Sequence, residues 1–154
     1  MKKKGFKILC WFDYKCSTGF ATVSTNILRH LRAYYGSRLS MDIIAINYIE
    51  NDENGVPHPG KPFYSDNKRT WVCSAINESF IPEGQTEPEI DELGRHEFLG
   101  RMYNNDYDGA FIIQDPGIIN SLVPNLDMQQ YENRKNKRKQ FKSIVYFPID
   151  HAIS

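Results

Sequence analysis

An open, doubly wound, mostly parallel α/β sheet of Rossmann-like type, with about five or more strands, is the fold class this sequence predicts. Three observations point to it. Five short runs are rich in apolar β-formers, as strands buried on both faces are. Helical periodicity or polar, glycine- and proline-rich chain separates them. The order strand, helix, strand then calls for right-handed βαβ units with parallel strands. The chain has 154 residues, one domain by the usual ~100–200 residues per domain, so 1–154 is read as a single domain.

The first run is Phe6-Lys7-Ile8-Leu9-Cys10-Trp11-Phe12, ending at Asp13. It follows a basic lead-in, Lys2 to Lys4. Lys7 interrupts the apolar stretch and no small-residue cleavage site follows, so it reads as a strand and not as a secretory signal. No apolar run approaches the ~18 residues of a membrane span. The expected location is the cytoplasm.

Helical spacing follows. Phe20, Val23, Ile27, Leu28 and Leu31 share one face. Ser17 or Thr18 suits the N-cap, and Gly36 suits the stop. Asp42 to Ile49 reads as the second strand. Residues 50–68, dense in Asn, Asp, Gly and Pro, read as a loop or excursion. Thr70 to Ala75 is a short third strand, and 77–90 is loop-like again. A helix is expected over about 91–104, with Leu93, His96, Leu99, Met102 and Tyr103 on its inner face. Tyr107 to Gln114 is the fourth strand. Asp115-Pro116-Gly117 starts a short helix, with Asp115 at the N-cap and Pro116 at the first helical position. Gln129 to Gln140, with Arg134, Lys135, Lys137, Arg138 and Lys139, reads as a solvated helix before the last strand, Ser143 to Phe147.

Composition narrows function. Lys+Arg and Asp+Glu are 19 each, for a net charge of zero. That weighs against a nucleic-acid partner. Cys10, Cys16 and Cys73 are odd in number and show no C-x-x-C spacing, which opposes a disulfide framework or zinc site. His30, His58 and His96 are scattered, so no metal site is expected. There is neither a G-x-G-x-x-G fingerprint nor a G-K-[ST] loop, which disfavours a dinucleotide dehydrogenase and a P-loop NTPase.

Ligands of doubly wound sheets bind at the carboxyl ends of the strands, near the switch in strand order. Three loops qualify: 13–20, 115–118 and 148–154. In the first, Gly19 permits close backbone approach, and the amides at the helix start can receive a phosphate or hydroxyl. Asp115 sits where an active-site carboxylate would. Asp150 and His151 follow the last strand, where a histidine beside a carboxylate can act as a base.

The segment Ile8 to Tyr14, followed by Ser17-Thr18-Gly19-Phe20-Ala21-Thr22-Val23, resembles the opening of GT-B glycosyltransferases of the retaining family-four-like group, with a loop of the form [ST]-G-[FY]-[AG]-x-V. Tyr107 to Asp115 is similar to that domain's fourth strand, and Val145-Tyr146-Phe147-Pro148-Ile149-Asp150-His151 to its last strand end. The resemblance implies the N-terminal, acceptor-side half of a two-domain enzyme that moves a sugar from a nucleotide-sugar donor to an acceptor, with no metal or other cofactor. It implies that Asp13, Ser17, Thr18, Gly19, Phe20 and Asp150 line the substrate cleft and that His151 and Asp115 serve catalysis. The order Pro-Ile-Asp-His departs from the commoner aliphatic-His-Asp. The donor-binding half is not among these residues, so the 154 residues alone are expected not to catalyse transfer. The alternative is a non-catalytic Rossmann-like ligand-binding or interaction module. A flavodoxin-like receiver ranks last, because Asp13 has no acidic neighbour and no lysine follows Phe147.

Overall fold

The computed structural model describes residues 4–16, 18–48, 50–51, 57–58, 63–65, 69–75, 84, 94–138 and 140–147. The elements in chain order are β1 (Phe6–Asp13), α1 (Gly19–Tyr35), a 3₁₀ turn (Gly36–Arg38), β2 (Leu39–Ile46), β3 (Glu50–Asn51), β4 (Pro57–His58), β5 (Phe63–Ser65), β6 (Thr70–Ser74), α2 (Arg95–Asn104), β7 (Gly109–Ile113), α3 (Pro116–Lys135) and β8 (Lys142–Tyr146). One sheet runs β5-β6-β2-β1-β7-β8, and β3 pairs with β4 in a separate two-stranded ladder. All neighbours in the large sheet are parallel except β5, which lies antiparallel on β6. The fold is α/β and Rossmann-like, as the alternation of runs predicts.

Strand pleating divides the core. Leu9, Trp11, Ile44, Ile46, Ala110 and Ile112 pack against Phe98 and Met102 of α2 and Ile119, Leu122 and Leu126 of α3. The alternate residues Cys10, Phe12, Ile43, Ala45, Phe111 and Ile113 pack under α1 with Leu28, Phe20, Val23, Ile27 and Leu31. Helices therefore cover opposite faces: the β1-to-β2 crossover moves one way across the sheet and the β6-to-β7 and β7-to-β8 crossovers the other, as right-handed crossovers require. Among the described residues, no helix is long and apolar enough to cross a membrane.

Two glycines are required by close approach. A Cβ on Gly109 would lie 2.3 Å from the Lys142 carbonyl oxygen, so only glycine lets β8 pair there. Gly94 caps α2 at φ 76°, and a Cβ there would meet Ala75 and Ile44 at 2.8 Å.

A buried ionic knot ties the amino half of the sheet to α2. Asp42 accepts from the Tyr107 hydroxyl at 2.5 Å and from Arg101 at 3.1 Å, with Lys7 Nζ at 3.3 Å. The Arg101 guanidinium also lies 3.7 Å from the Trp71 ring centre. Burial, then the bond to Asp42, pushes the Tyr107 hydroxyl pKa well above its usual value.

Residues 50–68, expected as a loop or excursion, carry the short strands β3, β4 and β5, the last paired antiparallel with β6 in the large sheet. Three further elements differ from the sequence expectation. β2 starts at Leu39 and stops at Ile46, because pairing with Phe6 to Ile8 recruits Leu39 to Met41 and Asn47 turns away at φ 58°. Leu93 lies outside the described residues. On α2, Met102 is buried and Leu99 packs partly buried against the core as expected, but His96 and Tyr103 are exposed and Phe98 is the other fully buried residue. Phe98 is held there by stacking on Trp11, 5.1 Å between ring centres. The short helix at Asp115 is instead a helix of 20 residues, continuous through Pro124 into the polar segment. Proline costs one backbone bond, but the buried stripe Ile119, Leu122, Leu126, Gln129 and Asn133 carries the helix past it.

Candidate functional site

The strand order places β1 between β2 and β7. The chain leaves β1 for α1 on one face and β7 for α3 on the other. The two departures make the carboxyl ends of β1 and β7 the switch point of the sheet, where doubly wound folds form their ligand crevice.

Asp13 closes β1 and is only 6% exposed. Its Oδ2 accepts from the Thr18 hydroxyl at 2.6 Å and from the Asn47 side-chain amide at 3.4 Å. Its backbone carbonyl accepts from the buried Ser24 hydroxyl at 2.6 Å. Thr18 is the N-cap of α1, in extended backbone, and its hydroxyl oxygen also accepts the Ala21 amide at 3.1 Å. One hydroxyl thus fastens the helix start to a buried carboxylate. The reason is local: a helix leaves its first N–H groups without partners, and a threonine before it supplies an acceptor.

Ala21 is served by that cap, and Thr22 donates to the Thr18 carbonyl at 3.2 Å. The Gly19 and Phe20 amides find no acceptor among the described residues. A Cβ on Gly19 would meet nothing within 4 Å, so a side chain has room there. The Phe20 ring packs into the cluster under α1, leaving its amide as its contribution to the crevice.

On the β7 side, Asp115 takes the N-cap position of α3 with Pro116 next, as predicted. Its carbonyl accepts the Ile118 and Ile119 amides at 3.0 and 3.1 Å. Its side chain makes no capping bond and is exposed, a carboxylate left for other partners. Gln114, 4% exposed, ends the run of β7. The register Trp11 to Ile112, continued two residues, sets Gln114 beside Asp13. Its backbone amide donates to the Tyr146 carbonyl at 3.3 Å, while its side-chain Nε2 is buried with no partner among the described residues. A buried amide donor without an acceptor is costly unless a ligand or water meets it.

The structure brings Asp13 and Thr18 into direct contact, sets Gly19 and the Phe20 amide beside them, and places Asp115 across the switch point. Ser17, Asp150 and His151 lie outside the described residues. Sequence reasoning missed Asn47 and Gln114. The signal for Gln114 was its place as the one polar residue closing an apolar run, and for Asn47 its position just past a buried strand, where asparagine tolerates left-handed backbone. Among the described residues, no group of histidine, cysteine and carboxylate side chains could hold a metal ion.

No protein-family model, curated protein or solved structure matches this chain.

Proposed function

We propose that this chain is one Rossmann-like half of a GT-B-type glycosyltransferase, and that a sugar-bearing substrate occupies the crevice between β1 and β7. The observation that carries this reading is the Thr18–Asp13 bond at 2.6 Å. It pins the start of α1, where the Gly19 and Phe20 amides have no acceptor among the described residues and a Cβ on Gly19 would meet nothing within 4 Å, a start suited to phosphate or sugar oxygens at the positive end of a helix. Asp115 accepts a sugar hydroxyl, and Gln114 offers a donor. On this reading His151, with Asp150, completes the transfer site from the end of the last strand. The nucleotide-sugar is the substrate, no cofactor takes part, and the paired half supplies the cations for the donor diphosphate.

Calorimetric titration with UDP-glucose, GDP-mannose and methyl glucoside tests this. Saturable binding of at least one is expected, weakened about tenfold or more in Gly19→Leu, a change that fills the open space with no atom to displace within 4 Å of the new Cβ. No binding, or binding indifferent to Gly19→Leu, contradicts it.

One observation favours the second reading, an interaction module. The edge strand β8 exposes Ile144 to 63%, beside exposed Tyr146 and Phe147. Concentration-dependent association abolished by Ile144→Glu, with no sugar binding, selects that reading.

A further inference from the structure

The positive charge of this neutral chain is unevenly placed, and α3 shows where it gathers. Arg134, Lys135, Lys137, Arg138 and Lys142 fall close together with no acidic residue among them. They do not lie along one solvated helix. α3 ends at Lys135, and the chain reverses there. The Lys137 amide donates to the Arg134 carbonyl at 3.2 Å and the Arg138 amide to the Asn133 carbonyl at 2.8 Å. That pair of bonds is a Schellman turn, with Lys137 in the left-handed position, φ 55°, where glycine is usual.

The reversal folds Arg138 back beside Arg134 and delivers Lys142, at the start of β8, to the same place. The three cations, with Gln130, Gln140 and the buried Phe141, line an open pocket of about 350 Å³. It lies at the amino end of β8, opposite the crevice.

Helix C-termini attract cations, and that accounts for Arg134 and Lys135. It does not account for Arg138 and Lys142, which lie beyond the helix and share its pocket. Nor does internal pairing. Arg138 meets Asp106 at 3.7 Å with both side chains well exposed, a weak arrangement. Arg134 and Lys142 have no carboxylate partner among the described residues. Two guanidinium forks, one ammonium and two side-chain amides around a small concavity match one chemistry, the clustered oxygens of phosphate groups.

We propose that this pocket binds a small phosphate-bearing anion, of the size and charge of a pyrophosphate or a nucleoside polyphosphate. A concave site of this volume falls within the usual small-ligand range. Phe141 is buried, so no aromatic platform is offered to stacked bases, which sets the site apart from a single-strand nucleic-acid groove. The inference does not depend on the sugar crevice, because it uses none of the same residues.

The test is calorimetric titration of the full chain with pyrophosphate at about 50 mM salt, where phosphate contacts are least screened. Four proteins are compared: wild type, Arg134→Gln/Arg138→Gln, Lys142→Gln, and Arg29→Gln, which removes an exposed cation on α1 away from the pocket. Unchanged thermal unfolding without ligand certifies the folds. Wild type should bind pyrophosphate at one site. The double variant should lose about tenfold or more and Lys142→Gln a smaller factor, with Arg29→Gln within about twofold of wild type. A parallel titration with a short DNA duplex separates the sources of phosphate. Binding of the duplex without saturable pyrophosphate binding overturns the proposal, as does equal weakening by Arg29→Gln and the double variant, or no binding by wild type.

Discussion

Replacing Thr18 with valine keeps the shape of the side chain and removes one hydroxyl. That hydroxyl accepts the Ala21 amide at 3.1 Å and donates to Asp13 at 2.6 Å. Loss of an N-cap costs about 1 kcal/mol. Loss of a hydrogen bond to a buried carboxylate costs about 1.5–3 kcal/mol. Asp13 is 6% exposed, so water does little to replace the bond, and Asn47 at 3.4 Å is a weak substitute. The two terms share one group and do not add in full. The expected destabilisation is about 2–3 kcal/mol, a fall in Tm of about 5–10 °C for a domain of this size. Urea unfolding followed by far-UV circular dichroism measures it, with an unchanged slope showing that the unfolded state is the same. Thr18→Ser restores the hydroxyl and should lie within about 0.5 kcal/mol of wild type. Thr18→Val within about 0.5 kcal/mol of wild type, or Thr18→Ser as unstable as Thr18→Val, refutes the role given to this hydroxyl.

The remaining predictions concern the frame that holds the crevice. Asp42→Ala strips three donors of their acceptor and should cost about 3 kcal/mol, with Tyr107→Phe nearer 1–2 kcal/mol, both read by urea unfolding; a loss under about 1 kcal/mol for Asp42→Ala contradicts the knot. Gly109→Ala forces a Cβ against the Lys142 carbonyl and should cost about 1–3 kcal/mol or more, with faster amide exchange in β8, while Gly117→Ala, where a Cβ meets nothing within 4 Å, stays within about 0.5 kcal/mol. Alkali should also destabilise the fold. Burial, with the nearby Glu97 charge, pushes the Cys73 thiol from 9.0 up to about 11, and burial pushes Cys10 further up. The folded state therefore keeps these protons when the unfolded chain releases them. The stability they carry is whole below pH 9 and is lost as pH rises through 11, at up to about 1.4 kcal/mol per pH unit for each group. Unfolding free energy measured from pH 8 to 11 should fall less steeply in Cys73→Ala; equal slopes would sink this assignment.

β1, β2, β6 and β7 are legible because each is a largely apolar run with a polar end, and burial on both faces leaves little else such a run can do. β8 is legible from its apolar run although alternate positions are exposed at the sheet edge, and β3, β4 and β5, two or three residues each in polar chain, are not. α1 was legible from its cap and its stop, Thr18 and Gly36. The face of α2 was not. Met102 and Leu99 pack inward as their spacing suggests, but His96 and Tyr103 have spacing as good as that of Phe98 and are exposed. The choice is made by Trp11, which stacks on Phe98, and by Asp42, which draws Arg101 inward. Both come from distant strands. The length of α3 is not legible, because the segment from Gln129 on is polar and Gln129 and Asn133 look like surface. They are buried because they bond each other at 2.8 Å, a pairing that hydropathy cannot register. The crevice follows the same division. Asp13, Thr18 and Gly19 lie in one strand-to-helix loop and could be read from it, whereas Asn47 and Gln114 reach the site from neighbouring strands, through register alone.

Chemical-shift mapping on the isotope-labelled chain tests the central claim most directly. The ligands are UDP-glucose, GDP-mannose and methyl glucoside, and Arg134→Gln/Arg138→Gln is run beside wild type so that phosphate held at the far end of the sheet is not mistaken for the crevice. The account predicts that a bound ligand moves the Gly19 and Phe20 backbone amides and the Gln114 side-chain amide in both proteins. Shifts confined to residues away from these three, or their absence with every ligand at saturating concentration, would contradict it.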